Sequence, residues 1–469
     1  MSDQTIDDPE GTETGRPRNR RPLLIVGIAV LLVAAVVAAV LTFRAIGSST
    51  PAQAVPATVP VKITVKGVPD ATKIGVVVTL GDGEGSEWNE AAQGALVAER
   101  RLALGGTDIT LVTKNDGGTS AGAKAAVASL AKSGVAGIVV ASSGTHVSGA
   151  LTAAAAEGVP VVLPYAAAEK DSWSTAPAAD SISTAMTTAL GDAESPLLVD
   201  LGGGAPAGLR VAHVIDGDDT SDTAALAETI ASRTGATGAD DGTDEASGAD
   251  PKAEPDSDAV VISGSAQRQG ALVAALQAAD VTVPVVLTPD ATSPAFGAAL
   301  VDAGGSLSGS FRTVGVATDD ARALSSDAEG RAMSAFLGGV RVLADDADAQ
   351  NLTGDRPFSA VAGAADARSH DAVVALVRAV GKAASAEPSD VTDALAALDL
   401  DSAAGIAGPA LDFTRQQALG ASATVLAASA QPLGLRPDTT ASSGTGGDDS
   451  GSDATQSTAL VWFEDSTAR

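Results

Sequence analysis

The sequence contains no cysteine among its 469 residues and few aromatic residues, namely three tryptophans, one tyrosine and seven phenylalanines. The absence of cysteine excludes disulfide bonds, thiolate metal sites, a cysteine nucleophile and a lipid attached through cysteine. Basic residues are also scarce, because 29 lysines and arginines stand against 58 aspartates and glutamates, which gives a net charge of −29. A field of that sign repels phosphate backbones and, unless a local basic patch exists, excludes nucleic-acid binding as a main activity.

Motifs for metal, nucleotide or nucleophile chemistry are missing as well. The three histidines, His146, His213 and His370, include no pair at the i, i+4 spacing of a helical metal site. The glycine-rich turns match neither GxGxxG nor GxxxxGK[ST], and no GxSxG nucleophile elbow occurs. The sequence therefore predicts a protein that is not an enzyme and that uses no cofactor and no metal.

The N-terminal part decides the predicted location. Residues 1–22 are polar and end in the arginine-rich stretch RPRNRRP, and the uncharged run 23–43 follows, from Leu23 to Phe43. A helix of about 20 apolar residues crosses a membrane, and arginines before it stay in the cytoplasm. We therefore predict a disordered cytoplasmic tail, one transmembrane anchor and an extracellular C-terminal domain at the cell membrane. A cleaved signal peptide, cut after Ala52-Gln53-Ala54, is the alternative.

The exported part alternates apolar strands with helices. After a Pro/Ser/Thr-rich stalk at 44–70, with a short strand at 61–65, strands are predicted at 73–80, 108–112, 135–141 and 159–164. A second series is predicted at 209–215, 259–263, 283–287, 311–316 and 424–428. Continuous apolar strands separated by helices indicate βαβ units and parallel sheets covered on both faces.

The two series predict two α/β lobes with a cleft between them. Lobe 1 is predicted to comprise 71–196 plus 312–405, and lobe 2 to comprise 205–311 plus 406–436. Open α/β sheets bind ligands outside the carboxyl ends of their strands, and such a cleft closes by hinge bending. The hinge is expected at crossovers near 197–208, 311–316 and 406–413.

Three further segments flank or interrupt the lobes. The acidic, low-complexity stretch 234–258 predicts an exposed insertion, and 437–458 predicts a linker. The apolar, aromatic C-terminal segment 459–469 predicts a strand that pairs onto a sheet edge, with a docking peptide as the alternative.

The order of these segments resembles the type I periplasmic-binding fold, and most of all the leucine/isoleucine/valine-binding proteins of branched-chain amino-acid ABC transporters. The resemblance extends over about 71–431 and rests on several segments taken together, not on a single motif. They are IGVVVTL, QGALVAERRLALGGTDITLVTKNDGGTSAGAKAAVASL, GVAGIVVASSGTHVSGALTAAAAEGVPVVLPYAAA, LRVAHVIDGDDTSDTAALAETI, VPVVLTPDATSPAF, SHDAVVALVRAVGKA and GIAGPALDFT.

This resemblance implies a ligand site in the cleft. In the family, the loops after the third and fourth strands hold the ligand's carboxylate and ammonium, and here those loops contain Ser142, Ser143, Thr145, Tyr165, Ala166 and Ala167. Hydroxyls and backbone N–H groups at a helix start suit an anion, although ordinary N-capping is the alternative for the serines and Thr145.

Two more positions follow from the resemblance. Asp290 matches an acid that faces the ligand ammonium, with an Asx turn as the alternative. Trp88 matches a residue that covers the side-chain pocket, with core packing as the alternative. The second-lobe loops 216–220 and 264–267 lack the aromatic residues that the family usually offers, which leaves the ligand class open.

The expected function is capture of an amino acid or a similar small polar solute, such as an amide, for delivery to an ABC permease. The alternative function is that of a ligand-sensing or scaffold protein of the cell envelope, which would use the same fold to bind a partner.

Overall fold

The computed structural model describes residues 61–217, 222–236, 255–307, 310–317, 320–429, 433–437 and 460–465. The predicted tail at 1–22, the anchor at 23–43, most of the stalk, most of the acidic insertion and the linker lie outside these ranges. Among the helices within them, none is both long and apolar enough for a transmembrane span.

The first sheet has five parallel strands in the order β2-β1-β3-β4-β5. They are β1 (Thr72–Val78), β2 (Ile109–Asn115), β3 (Ile138–Val140), β4 (Val161–Leu163) and β5 (Trp173–Ser174). The three central strands are valine- and isoleucine-rich and almost entirely buried, because helices cover both faces of the sheet.

The second sheet has seven strands in the order β14-β13-β10-β9-β8-β6-β7. They are β6 (Pro196–Leu201), β7 (His213–Asp216), β8 (Ala259–Gly264), β9 (Val285–Leu287), β10 (Phe311–Gly315), β13 (Thr424–Ser429) and β14 (Val461–Glu464). All pairings are parallel except those of β13 with β10 and with β14. The C-terminal segment therefore pairs onto the sheet edge, as predicted. A separate antiparallel pair joins β11 (Asp399–Leu400) to β12 (Leu411–Asp412).

Ten α-helices accompany the strands in the described residues. In chain order they are α1 (Gly94–Leu104), α2 (Ser120–Lys132), α3 (Val147–Glu157), α4 (Ala179–Leu190), α5 (Thr223–Thr234), α6 (Ala266–Ala278), α7 (Pro294–Asp302), α8 (Ala328–Ala344), α9 (Ala367–Ala383) and α10 (Pro388–Leu395). Helices α2 and α3 pack on one face of the first sheet, and α1, α9 and α10 pack on the other. Local signals set their ends: Thr119 caps α2 by accepting from the Gly122 N–H, and Gly158 ends α3 at a φ of 65°.

Two of the three crossovers between the lobes differ from the predicted ones. Helix α4 packs through Ala185 and Met186 on the second sheet, so the first crossover precedes residue 179, and 179–196 does not belong to lobe 1. Ile406 and Phe413 are buried in the core of the first lobe, so the third crossover follows residue 418, not residue 406. The apolar stretch 406–413 had suggested a hinge strand, but only β12 forms there.

Two other predictions of local structure were wrong. Residues 61–65 do not form a strand; instead Ile63 is buried and its N–H donates to the Arg101 carbonyl at 2.8 Å. Strand β6 falls in the predicted crossover near 197–208 but belongs to the second sheet, and helices α4 and α7 were not predicted. Helix α4 (ADSISTAMTTAL) is rich in serine and threonine, whose hydroxyls compete for backbone hydrogen bonds and lower the helix propensity.

Candidate functional site

The candidate site lies where the carboxyl-edge loops of the two sheets meet. The loop after β1 carries a short 3-10 turn, Ser86–Trp88, which contacts helix α7 of the second lobe. The Ser293 hydroxyl, at the start of α7, donates to the Glu87 backbone carbonyl at 2.6 Å. This direct bond places the first loop of lobe 1 against the loop after β9 of lobe 2, which is the position expected for a ligand cleft.

Two aromatic rings and a guanidinium form the wall of this site on the first lobe. The Trp88 and Tyr165 rings stack with centroids 4.3 Å apart and planes 9° apart, and Trp88 is 2% exposed. The Arg368 guanidinium lies 4.8 Å from each ring centroid and forms an ion pair with Asp366 at 2.7 Å. Trp88 also donates through Nε1 to the Ser143 hydroxyl at 3.0 Å. The structure thus brings Trp88, Ser143 and Tyr165 together.

Arg368 was not predicted as part of the site. It lies in the first turn of α9, 203 residues after Tyr165 and 280 residues after Trp88, and one arginine at a helix start carries no signal of its own. Burial raises the pKa of the Tyr165 hydroxyl well above its usual value, so this ring stays neutral beside the ion pair.

The groups expected to hold a ligand carboxylate already contact carboxylates of the chain. Glu84 accepts hydrogen bonds from the Thr145 N–H at 2.9 Å and from the Thr145 hydroxyl at 2.8 Å. Glu87 accepts one from the Ser143 hydroxyl at 3.1 Å. Gly85, at a φ of 90°, lies so close to this loop that a Cβ there would come within 3.0 Å of the Ser143 nitrogen. The first loop therefore covers the start of α3.

Ser142 lies behind this site, in a buried polar cluster. Its hydroxyl is 2.7 Å from the Thr79 hydroxyl and 3.1 Å from His146 Nε2, and the same nitrogen is 3.2 Å from Asp116 Oδ2. Because the serine and the aspartate share one imidazole nitrogen and Ser142 is fully buried, the cluster lacks the geometry of a nucleophile-activating triad. Its hydrogen bonds fix the loop between β3 and α3.

Titration in this cluster follows from its contacts. The hydrogen bond to Asp116 raises the pKa of His146, and burial only partly opposes it. Burial on its own raises the pKa of Asp116, but hydrogen bonds from His146, from the Gly118 N–H and from Thr79 outweigh it, so the pKa of Asp116 is lowered.

Ala166 and Ala167 contribute backbone alone. The Ala166 carbonyl accepts from the Ser174 hydroxyl at 2.7 Å, and Ala167 is exposed. The loop after β4 thus supplies an aromatic ring through Tyr165 and no hydroxyl from its two alanines.

Two acids from opposite lobes face this region. Glu87 is buried, and Asp290 lies in the 3-10 turn Pro289–Thr292 directly after β9, where its Oδ2 is 3.4 Å from the Thr288 hydroxyl. Within the described ranges, neither acid has an ion-pair partner within 4.0 Å. Burial raises the pKa of Glu87, and burial followed by the charge of Glu87 raises the pKa of Asp290 to about 6.

A cavity of about 560 Å³ opens between the lobes; Glu87 and Asp290 do not line it, but residues within three positions of each acid do. Its lining includes their chain neighbours Pro289, Ser293 and Glu90, together with Arg368. The rest is mostly apolar and comes from both lobes and from the C-terminal segment, for example Val361, Ala364, Pro294, Val301, Leu419 and Leu435. No described group of three or more acidic or histidine side chains is arranged to hold a metal ion.

Comparison with solved structures identifies the fold. LivJ of Streptococcus pneumoniae, a branched-chain amino acid transporter substrate binding protein solved with isoleucine, is 15% identical with a TM-score of 0.51 over 76% of this chain and 99% of its own. LivK of Thermotoga maritima, a leucine binding protein, is 16% identical with a TM-score of 0.53 over 76% and 95% of the two chains. A substrate-binding periplasmic protein of Ralstonia solanacearum is 15% identical with a TM-score of 0.55 over 76% and 97%.

The chain has the type I periplasmic-binding fold. This confirms the fold resemblance drawn from the order of the sequence segments. No protein-family model and no curated protein sequence matches the chain. At this level of identity the likeness defines the architecture, two α/β lobes with parallel sheets, and leaves the ligand to be argued from the site.

Proposed function

We propose that this protein is an extracytoplasmic solute-binding protein that takes a small molecule into the interlobe cleft. The observation that carries the proposal is the pair formed by Glu87 and Asp290, two acids without ion-pair partners that approach from opposite lobes beside an interlobe cavity. A charge buried without a partner is costly, so a ligand that neutralises such a pair would also hold the lobes together. The solved structures of this fold that bind isoleucine or leucine support a solute of amino-acid size.

The finer parts of the proposal concern location and partners. We propose that residues 23–43 anchor the chain in the cell membrane with its lobes outside, and that the protein delivers its solute to an ABC permease. The uncharged run and the arginines before it support the anchor. The permease is supported by LivJ of Streptococcus pneumoniae, a branched-chain amino acid transporter substrate binding protein that has the same fold.

The test of binding is a thermal-shift screen of the full chain in detergent against amino acids, amides, amines and small peptides. A ligand that binds only the folded state raises the melting temperature with its concentration. Asp290→Asn should abolish the shift, whereas Asp192→Asn, at an exposed position of the turn after α4, should retain it. A shift that survives in the Asp290 variant would place the ligand elsewhere.

Because the chain lacks cysteine, its topology can be tested with single introduced cysteines. We expect Ser48→Cys to react with a membrane-impermeant maleimide in whole cells and Ser2→Cys to react only after lysis. Labelling of both positions in whole cells would contradict the anchor.

The second candidate is a sensor or scaffold that binds a partner with the same fold. It is favoured by the way in which Glu84 and Glu87 already contact Thr145 and Ser143. If no solute in the screen shifts the melting temperature, this second function gains and solute capture fails.

A further inference from the structure

The half of the cleft that should hold a carboxylate is occupied by the chain itself. Glu84 uses both the N–H and the hydroxyl of Thr145, and Glu87 uses the hydroxyl of Ser143. The close approach of Gly85 covers the Ser143 backbone between them. A ligand carboxylate placed here would find no vacant donor among these groups and would meet two like charges, which repel it.

The adjoining part of the cleft, which also contains Glu87, suits a cation. Glu87 and Asp290 present negative charge from both lobes, and the described residues include no lysine or arginine in an ion pair with either acid. Arg368, whose positive charge lowers the pKa of Asp290, forms an ion pair with Asp366. The Arg368 guanidinium lies 4.8 Å from the centroids of the buried, stacked rings of Trp88 and Tyr165, so the first-lobe wall already holds one positive charge beside the acids.

The cavity beside the acids fits the remainder of such a ligand. Its wall next to Pro289 and Ser293 continues along α7 through Pro294, Ala298 and Val301, which are apolar. An amine with an apolar body would leave its charge at the acids and remove its hydrocarbon from water in this cavity.

We propose that the solute of this cleft is an amine or guanidine that lacks an α-carboxylate, with its cation between Glu87 and Asp290 and its apolar part in the interlobe cavity. The proposal rests on the proposed solute-binding function and names the ligand class of that site.

The experiment compares matched pairs that differ by one carboxylate. Isothermal titration of the full chain in detergent measures the dissociation constants of phenethylamine and phenylalanine, isoamylamine and leucine, and agmatine and arginine. For at least one pair we expect the amine to bind at least about tenfold more tightly than its amino acid, the ratio expected when a charged group loses its hydrogen bonds.

Variants test the cation site at Asp290 and the occupied donors at Thr145 separately. Asp290→Asn should weaken the amine at least about tenfold, because it removes a charge-assisted hydrogen bond. Glu84→Ala should strengthen binding of the amino acid by freeing the Thr145 donors, whereas Glu157→Ala, at the far end of α3, should leave both ligands unchanged.

The outcomes distinguish the two proposals. Amino acids that bind the unmodified chain as tightly as their amines would overturn the carboxylate-free ligand and leave solute capture intact. Amine binding that is unaffected by Asp290→Asn would also overturn it. If neither these probes nor the wider screen gives binding, solute capture itself fails and the ligand class fails with it.

Discussion

Glu84 accepts two hydrogen bonds from Thr145, one from the backbone N–H and one from the hydroxyl, across 61 residues of chain. The acid comes from the loop after β1, and the threonine lies at the start of α3. A carboxylate at a helix start satisfies donors that the helix leaves open and opposes the positive end of its dipole. This contact therefore stabilises the first lobe, and it also occupies the Thr145 donors that a ligand in the cleft would otherwise use.

The first prediction concerns that contact. Glu84→Ala should lower the free energy of unfolding by about 1 kcal/mol, because two charge-assisted hydrogen bonds are lost at a site where the glutamate side chain is 48% exposed to competing water. Urea unfolding followed by circular dichroism measures the change. Glu157→Ala is the control, and equal effects of both variants would show that the contact with Thr145 contributes nothing specific.

The second prediction is a pH dependence that arises from His146. Its pKa is raised above the ordinary value of 6.5, so its contribution to stability is complete below pH 6.5 and disappears as the pH rises through the folded-state pKa. The groups that face it are Asp116, Glu84, Thr79 and Ser142. The pKa of Asp116 is lowered, so its contribution lasts until acid pH.

Urea unfolding between pH 5 and pH 9 tests this prediction. His146→Gln should flatten the loss of stability above pH 6.5, whereas His213→Gln, at a partly exposed position of β7, should keep it. An identical pH profile in the His146 variant and the unmodified chain would show that the loss has another origin.

The third prediction separates function from stability at Asp290. An acid whose folded-state pKa is raised to about 6 binds more protons in the folded state, so the folded chain loses stability as the pH rises from about 4 to 6. Asp290→Asn removes this cost and should stabilise the ligand-free chain at pH 7.5 by on the order of 1–2 kcal/mol. The same variant should lose ligand binding, because a residue that binds ligand often lowers the stability of the ligand-free protein.

Thermal unfolding at pH 5 and at pH 7.5 measures the effect. The gain should be small at pH 5, where the native carboxyl is largely protonated, and should grow at pH 7.5. The groups around Asp290 that set its titration are Glu87, Thr288 and Arg368. A loss of stability at pH 7.5 would indicate that the ionised carboxylate makes a favourable contact.

The architecture could be predicted because its signals are local. Strands such as β1, β8 and β9 are short apolar runs between turn residues, and their order along the chain indicates a parallel sheet. Trp88 and Asp290 were assigned through the family resemblance; in the structure Trp88 lies in the loop after β1 and Asp290 in the turn after β9, both at the carboxyl edges of their sheets.

The occupancy of the site could not be predicted, because it depends on pairs far apart in the chain. Glu84 and Thr145 are 61 residues apart, and Arg368 meets Trp88 and Tyr165 only after the chain has crossed to the second lobe and returned. The crossovers were misplaced for a related reason. The burial of Ile406 and Phe413 identifies them as core residues, but their sequence does not say which lobe buries them.

The fourth prediction concerns the C-terminal strand. Trp462 is buried in the core of the second lobe, with ring centroids 6.0 Å from Phe296 and 6.1 Å from Phe311. Trp462→Ala should lower the free energy of unfolding by about 3–5 kcal/mol, because it leaves a cavity in an aromatic cluster. Trp462→Phe should recover part of this loss, and Glu464→Ala, exposed on the same strand, should have little effect. An unchanged stability of Trp462→Ala would mean that β14 is not packed in solution.

The fifth prediction concerns Arg436, which ties the stretch 433–437 to the first lobe. Its guanidinium lies 2.9 Å from both oxygens of Asp320 and donates to the carbonyls of Gly363 and Ala365. Strand β13 of the second sheet ends at Ser429, and Leu433 follows within about 15 Å of chain. The segment is thus a short strap between the lobes, beside the cavity.

Arg436→Ala should allow the lobes to separate further, because it removes a largely buried ion pair. Since the chain has no cysteine, spin labels can be attached at Thr152→Cys in α3 and Thr229→Cys in α5, both exposed, and their distance distribution measured in the full chain. The distribution should broaden toward longer distances in the Arg436 variant and not in Arg415→Ala, whose ion pair is exposed. An unchanged distribution would mean that the three crossovers alone fix the cleft, and that a ligand meets the same opening whether or not the strap is attached.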